Sequence, residues 1–329
     1  MLVKKIAAMV ILGILFAGCR EAPKAPVGQR EKVVIDLALP QAFLVQLAFT
    51  KGYFADEGVD ATLRLQTSGK TALQGVLAGN ADLATVAETP IVFARLEGKR
   101  VSIIATIATA NKNLAVVARK DHGISSPSDL QEKRIGLTLG TNGEFFMDTI
   151  LIANGIKRDR VKIVNLEPDA MVSALVSGKV DAVATWQPHV IRLQKELGDR
   201  GATFYNEELY TENYNLVTRP EYVGQHPETV KKLLRALVKA EEFAGQNPAE
   251  AKRILTDSTG MDKALANEVW SSFDLRVTLQ QSMVIAMEDL ARWAAQRNRN
   301  EAARIQDYQA DIYPAGLLVV KPGAVRLIR

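Results

Sequence analysis

The stretch VLAGNADLA, residues 76–84, and the stretch LVSGKVDAV, residues 175–183, share one pattern about a hundred residues apart. In each, apolar residues at helical spacing lead to a glycine, and an aspartate follows three residues later, at Asp82 and at Asp181. A glycine after the last periodic residue typically ends a helix, and the short apolar run after the aspartate is typical of a buried strand. The pattern therefore predicts the same helix–turn–strand unit twice.

Each unit closes a longer series of alternating strands and helices. The first series runs from a strand at residues 32–40 to a strand at 81–87, and the second runs from 133–141 to 179–186. Both read as β-α-β-α-β, an order that produces a mainly parallel sheet with helices on both faces. The sequence therefore predicts an α/β protein of two lobes, followed by C-terminal helices.

Two extended segments, residues 113–120 and 215–220, follow the first and the second series. They indicate that the chain enters a second lobe and then returns to the first. We expect a discontinuous first lobe of residues 32–112 and 220–329. The second lobe would comprise residues 113–219, with hinge crossings at its ends.

The N-terminus has the pattern of an export signal. Two lysines precede an uninterrupted apolar run of 13 residues, residues 6–18, which is short for a membrane span and suits a signal peptide. The run ends in LFAGC, where Cys19 is the only cysteine of the chain. This ending resembles a bacterial lipobox, which implies a signal peptide of residues 1–18 and a lipidated Cys19. The alternative is ordinary signal cleavage beside an incidental cysteine.

Residues 19–31 contain proline, glycine and charges with few apolar side chains, which predicts a flexible tether on a lipid-anchored, extracytoplasmic protein.

With one cysteine, the chain has no internal disulfide. The net charge of +4 falls to +2 without the two lysines of the signal peptide. No basic cluster with interleaved aromatics is present, so nucleic acid is not an expected partner.

The stretch LQTSGKTAL, residues 65–73, resembles the end of a nucleotide-binding P-loop. The complete pattern requires a glycine five residues before Gly69, and Arg64 occupies that position within an alternating, strand-like run. The P-loop interpretation therefore fails. We expect no nucleotide or other cofactor, and no cluster has metal-ligand spacing.

The sequence resembles the type II substrate-binding proteins of ABC importers, in the subfamily for aliphatic sulfonates, taurine, nitrate and thiamine-precursor pyrimidines. The resemblance rests on GYFADEGVD (52–60), LQGVLAGNADLATVAETP (73–90), LTLGTNGEFFMDTIL (137–151) and ALVSGKVDAVATWQPH (174–189). It implies a periplasmic-binding-protein clamp that is not an enzyme. Such a clamp would be a monomer that captures a small organic anion or heterocycle and delivers it to a membrane permease powered by a separate ATPase.

In open parallel sheets, ligands bind beyond the carboxyl ends of the strands, where helix N-termini offer unpaired N–H groups to anions. We expect ligand contacts at these helix starts. The candidate residues are Gln41, Ala42, Phe43, Ser68, Gly69, Lys70, Thr71, Glu88, Thr89, Thr141, Asn142, Trp186, Gln187 and His189.

Several of these residues have an equally ordinary structural interpretation. Ser68 and Thr141 favour helix caps, and Trp186 suits core packing at a strand end. A buried carboxylate at Glu88 would either face the ligand or pair with a protein cation. Glu144 would repel an anion, so it would cap its helix or bind the ammonium group of a zwitterionic ligand. His189 is the histidine expected near the cleft, as a hydrogen-bonding group and not a catalytic base.

Two further classes of function are compatible with the same fold. One is an enzyme related to pyrimidine synthases or to an alternative menaquinone route, which the export signal argues against. The other is an extracytoplasmic sensor domain that presents its ligand to a receptor kinase. Within the importer hypothesis, the sequence does not rank sulfonate, taurine, pyrimidine and nitrate.

Overall fold

The computed structural model describes residues 30–205, 207–208, 210–298 and 306–328. The predicted signal peptide, the lipidation site at Cys19 and nearly all of the tether lie outside the described residues. Within the described part of the chain, no helix is both long and apolar enough to cross a membrane.

The first lobe is built on a five-stranded sheet with the order β2-β1-β3-β10-β4. Strands β1, β2 and β3 are parallel, and β10 runs antiparallel to β3 and β4. The strands of this sheet are β1 (Glu31–Leu37), β2 (Val59–Leu65), β3 (Leu83–Ala87), β4 (Ser102–Ala110) and β10 (Glu212–Thr218). Strand β10 comes from the segment that the sequence suggested as a return crossing, so the chain has already rejoined the first sheet by residue 212.

The second lobe repeats this arrangement with the order β7-β6-β8-β5-β9. Strands β7, β6 and β8 are parallel, and β5 runs antiparallel to β8 and β9. The strands are β5 (Leu114–Arg119), β6 (Arg134–Leu137), β7 (Lys162–Asn165), β8 (Ala182–Trp186) and β9 (Gly201–Phe204). The predicted fold class, two α/β lobes with mainly parallel central strands, is confirmed.

Helices cover both sheets and form the C-terminal part of the chain. The helices of the first lobe are α1 (Phe43–Thr50), α2 (Tyr53–Asp56), α3 (Gly69–Leu77) and α4 (Glu88–Leu96). Those of the second lobe are α5 (Asn142–Ala153), α6 (Met171–Val176) and α7 (His189–Leu197). The C-terminal helices are α8 (Pro220–Gln225), α9 (Pro227–Gln246), α10 (Pro248–Thr259), α11 (Lys263–Ser271), α12 (Gln281–Asn298) and α13 (Ala315–Val320). Two short parallel strands, β11 (Leu279–Gln280) and β12 (Val325–Arg326), pair beside them.

The hydrophobic core is divided in the same way as the sheets. One large cluster joins the first sheet to helices α1, α9 and α12. Two smaller clusters cover the opposite faces of the second sheet. Each lobe therefore has its own apolar core, as the length of the chain allows.

The repeated glycine–aspartate pattern makes the same contact in both lobes. Asp82 donates its backbone N–H to the Val34 carbonyl at 2.9 Å, and its carboxylate accepts the Val34 N–H at 2.8 Å. Asp181 forms the same pair with Arg134 of the second sheet, at 2.8 Å in both directions. Each aspartate thus fixes one strand of its sheet against its neighbour.

The glycines before these aspartates are required by the backbone. Gly79 has φ +77° and Gly178 has φ +76°, a left-handed conformation that ends helices α3 and α6 and is strained for other residues. The turn places the aspartate three residues later beside the central strand. The glycine that ends the helix and the aspartate that contacts the strand therefore belong to one local structural motif.

Asp181 is held as a carboxylate. Burial opposes its ionisation, but hydrogen bonds from the Arg134 side chain and backbone and from His122 outweigh burial and lower the pKa of Asp181 far below its ordinary value. A lowered native pKa stabilises the fold at pH values above the unfolded-state pKa, and the contribution is lost as pH falls through the native value.

We predict that Asp181→Ala lowers the free energy of unfolding at pH 7 by about 1–3 kcal/mol, because the Arg134 N–H loses its acceptor. Urea denaturation at pH 7 and pH 3 measures this. The difference from the parent should shrink at pH 3, because the unfolded parent is then largely protonated at Asp181 and the linkage contribution is partly lost. The exposed Asp159→Ala is the matched control and should change stability by less than about 0.5 kcal/mol. Equal effects of the two substitutions would contradict the assigned role of Asp181.

Candidate functional site

A cavity of about 260 Å³ lies between the two lobes. Its walls come from the segments that follow β1, β2, β6 and β8, and the end of α10 closes one side. The carboxyl ends of parallel strands from both sheets therefore meet at one cavity, where the topology of an α/β sheet places a ligand.

Eight of the fourteen residues expected at the ligand site line this cavity. They are Gln41, Ser68, Gly69, Lys70, Thr141, Asn142, Trp186 and His189. That these residues bind a ligand stays a prediction. The other six, which are outside the lining, are Ala42, Phe43, Thr71, Glu88, Thr89 and Gln187.

Local contacts explain three of the six exceptions. Phe43 is buried in the first core, edge-on to Trp270 with 5.4 Å between ring centroids. Thr71 donates its backbone N–H to Ser68, and Gln187 accepts the Ile191 N–H at the start of α7. These side chains serve the helices that border the cavity and not the cavity itself.

The loop before α3 is both a helix cap and a cavity wall. Ser68 Oγ accepts the Thr71 N–H at 3.2 Å, the usual N-cap arrangement. Lys70, at the second position of the helix, extends across the cleft and donates its ammonium Nζ to the Leu139 carbonyl of the second lobe at 2.8 Å. Lys70 therefore connects the lobes as well as bringing positive charge to the cavity.

The second lobe contributes two buried polar atoms without partners. Asn142 and His189 are 4% and 9% exposed, and neither Asn142 Nδ2 nor His189 Nδ1 has a hydrogen-bond partner among the described residues. Leaving a buried polar group unpaired costs on the order of 1–3 kcal/mol, so such atoms in a cavity wall indicate a place for a ligand or for water. Thr141 differs, because its hydroxyl already donates to the Thr138 carbonyl at 2.7 Å.

The charges around His189 come from Arg192 and Asp169, which also line the cavity. Burial lowers the pKa of His189, the Arg192 charge lowers it further, and Asp169 partly opposes both. His189 is therefore neutral at pH 7. In that form its ring has one N–H donor and one acceptor nitrogen.

Sequence reasoning missed several cavity residues. Arg192 lies three positions after His189 on α7, so helical spacing from His189 was a signal that pointed to it. Asp169 follows the proline that opens the turn before α6. Thr259 and Met261 reach the cavity from the end of α10, and only the tertiary fold brings that helix to the cleft.

Glu144 turns away from the cavity. Its carboxylate accepts the Gly140 N–H at 2.8 Å and the Arg158 guanidinium at 3.0 Å, and it also contacts Arg297 of α12. Of the two interpretations that the sequence left open, the structure shows capping of the loop before α5 together with pairing to protein cations.

Glu88 has neither of the surroundings that the sequence suggested. It is fully buried outside the cavity, and its partners are the Tyr210 hydroxyl at 2.8 Å and the Asn213 N–H at 2.9 Å. Burial raises the pKa of Glu88 to about 7, and these hydrogen bonds only partly oppose the increase. The expectation of a ligand group or a protein cation beside Glu88 was wrong, because uncharged donors of the chain satisfy it.

The two five-stranded sheets with a cavity between them give this chain the periplasmic-binding-protein fold. Among solved structures, the alkanesulfonate-binding protein SsuA from Xanthomonas axonopodis pv. citri, bound to MOPS, matches with a TM-score of 0.75. The match covers 87% of this chain and 99% of that one at 17% identity, which shows a shared fold.

The chain belongs to the NMT1/THI5-like family, whose model matches residues 40–251. A relative from Brucella abortus (strain 2308), provisionally named as a binding protein, is 25% identical over 201 residues. That match covers 60% of this chain and 61% of the relative. A second relative, provisionally named as an aliphatic sulfonates-binding protein of Bacillus subtilis (strain 168), is 25% identical over 298 residues and 88% of each chain. The names of both relatives describe binding proteins.

We predict that the imidazole of His189 titrates below its ordinary pKa of about 6.5, because burial and Arg192 disfavour the charged ring. Proton NMR of the imidazole signals between pH 4.5 and 8 measures this, and the signal that disappears in His189→Gln assigns the residue among the three histidines. A midpoint above 6.5 for the assigned signal would contradict the geometry described for the cavity.

Proposed function

We propose that this protein is the extracytoplasmic substrate-binding component of an ABC importer and that it captures a small organic anion between its lobes. The observation that carries the proposal is the pair of buried, unpartnered polar groups on Asn142 and His189. They lie at the starts of α5 and α7, where helix N-termini favour negative charge, and Lys70 and Arg192 add two cations to the wall.

The remainder of the wall favours an organic ligand over a bare inorganic anion. The Trp186 ring, the Leu65 side chain and the Met261 side chain line the same cavity as the polar groups. Polar groups at one part of a site and apolar surface at another suit a ligand with a charged head and a hydrocarbon part. An alkanesulfonate has this form. Asp169 gives the wall one carboxylate, which suits a zwitterion such as taurine.

The two-lobed arrangement supports a role in delivery and not in catalysis. Proteins of this shape open and close by a hinge between their lobes, which captures a ligand and then releases it. The two relatives described above are named as binding proteins, and the sequence has no P-loop. The partners in this proposal are a membrane permease and a separate ATPase, and the binding protein acts as a monomer without a cofactor.

We predict that an alkanesulfonate raises the thermal stability of the chain from residue 30 onward. A ligand at a hundred times its dissociation constant adds about 2.7 kcal/mol, which a thermal-shift assay detects readily. The panel contains ethanesulfonate, taurine, nitrate and hydroxymethylpyrimidine, in a buffer free of sulfonates. A shift with nitrate or the pyrimidine alone would replace the proposed ligand class, and no shift with any compound would contradict the proposal.

The same assay tests the site. Asn142→Ala should weaken binding by roughly 10- to 100-fold, since a hydrogen bond to a charged group is worth about 1.5–3 kcal/mol. Asn154→Ala, at the opposite end of helix α5, removes the same side chain from a position where it bonds only to the Ile150 carbonyl. This control should bind the ligand as the parent does. Equal losses in both variants would show that Asn142 does not contact the ligand.

We also propose that the protein is anchored outside the cytoplasmic membrane through a lipid on Cys19. The support is the apolar run of residues 6–18 that ends in LFAGC, followed by a polar segment with the composition of a tether. Two acyl chains, at about 0.8 kcal/mol per buried CH₂, hold a protein stably on a membrane.

We predict that the full chain, expressed in a bacterium fed tritiated palmitate, becomes labelled and fractionates with membranes. The variant Cys19→Ser should lose both the label and the membrane association, because no other cysteine is available. An unlabelled protein released in soluble form would show ordinary signal cleavage instead.

A further inference from the structure

The chain crosses between the lobes twice, and described residues of the two crossings are in contact, Asn113 with Glu212 and Lys112 with Glu207. One joins the end of β4 at Ala110 to the start of β5 at Leu114, and the other joins the end of β9 at Phe204 to the start of β10 at Glu212. Glu88, the first residue of α4, packs against the second crossing. Any change in the angle between the lobes must bend these segments.

Two carboxylates are buried in this bundle of crossings. Glu88 accepts the Tyr210 hydroxyl through one oxygen and the Asn213 N–H through the other. Glu212 accepts the Asn113 side-chain N–H through Oε2 at 2.6 Å, while its Oε1 has no partner among the described residues. Glu88 and Glu212 are 0% and 1% exposed.

No cation in the described part of the chain is paired with either carboxylate. Lys112, next to Asn113, pairs at 3.0 Å with Glu207 instead. The charged groups of neighbouring helices are also paired with each other. These pairs are Arg95 of α4 with Asp311, Glu144 of α5 with Arg158 and Arg297, and Asp148 of α5 with Arg158.

The groups that face the two carboxylates are therefore uncharged side chains. They are the hydroxyls of Tyr210 and Tyr214 and the amides of Asn113 and Asn213. Burial of Tyr210 and Tyr214, together with the nearby carboxylates, raises the pKa of both phenols well above its ordinary value, so both remain neutral.

Two negative charges in such a place are unfavourable because burial disfavours each charge and each disfavours the other. Burial raises the pKa of Glu88 to about 7, and burial together with the charge of Glu88 raises the pKa of Glu212 to about 8. The unpartnered Oε1 of Glu212 offers a position for a proton. Near neutral pH the pair therefore retains a proton while the crossings remain packed.

A second cavity, of about 370 Å³, lies beside this pair, between the start of α12 and the second lobe. Tyr210 and Asn213, the two donors to Glu88, form part of its wall, and so does Phe145 of α5. A change of hinge angle that separates Phe145 and Tyr210 from α12 would extend this cavity to the carboxylates.

We propose that Glu88 and Glu212 couple the hinge to pH, so that closing of the lobes binds a proton at this pair and opening releases it. The proposal goes beyond capture of an anion, because it concerns the equilibrium between open and closed lobes without ligand. Its chemistry resides in the crossings, and of the groups that face the carboxylates only Tyr214 also lines the ligand cavity.

The direction of the pH effect follows from the linkage between closing of the lobes and proton binding. A carboxylate with a raised pKa in the closed state and an ordinary pKa of about 4.3 in a hydrated open state favours closing at low pH. This contribution declines as pH rises through the closed-state values. Each linked proton changes the ratio of closed to open molecules by up to about tenfold per pH unit between the two pKa values. Acidic conditions therefore favour the closed clamp.

We predict that the ratio of closed to open molecules, measured without ligand, falls about tenfold or more between pH 6 and pH 9. Spin labels on Thr62→Cys and Ser173→Cys, both exposed and on opposite lobes, report the lobe separation by pulsed electron-electron resonance. The full chain is used with Cys19→Ser, so that only the two new thiols react. A distance distribution that does not change with pH would overturn the proposal.

Two variants that replace a glutamate with uncharged glutamine test whether this pair causes the pH dependence of closing. Glu212→Gln can keep the bond from Asn113 without ionising, and Glu88→Gln can keep the bond from Tyr210. Each should reduce the pH dependence, while the exposed Glu196→Gln should retain it. If Glu88→Gln does not fold, Glu212→Gln alone decides. Full pH dependence in Glu212→Gln would overturn the proposal whatever the ligand assays show.

Discussion

The two-way hydrogen bond between an aspartate and the backbone of a neighbouring strand is the constraint on which both lobes depend. Asp82 and Asp181 each bind a strand of their sheet, at Val34 in the middle of β1 and at Arg134 at the start of β6, through one backbone bond and one carboxylate bond. A strand fixed at this register places its carboxyl end at a defined height on the sheet. Both lobes use the same contact, and the segments that follow the strand ends of both sheets line one cavity.

The cleft contains two kinds of polar group with different roles. Ser68 and Thr141 already have partners within the protein, and their contacts shape the loops that border the cavity. Asn142 Nδ2 and His189 Nδ1 are buried without a partner among the described residues, and they are the atoms that we propose contact the ligand. Lys70 has an intermediate role, because its bond to the Leu139 carbonyl connects the lobes while its charge stays beside the cavity.

The buried carboxylates at the hinge differ from the other buried carboxylates because no cation of the described residues is paired with them. Buried carboxylates elsewhere in the described chain, such as Asp181 and Glu144, have guanidinium partners. Glu88 and Glu212 have only neutral donors, which cannot offset two charges away from water. Their ionisation is therefore tied to how closely the crossings pack, in contrast to the salt-bridged carboxylates.

Local patterns in the sequence were enough to predict the two α/β lobes and the end of the strands where the cavity lies, because helix stops and apolar runs are local signals. It also pointed to eight lining residues, including Asn142 and His189, since helix starts can be located from pattern. Other outcomes are visible only in the folded chain: Phe43 packs in a core, Glu88 faces Tyr210, and Thr259 reaches the cleft. Those outcomes depend on contacts between segments far apart in the chain, and no local spacing encodes such contacts.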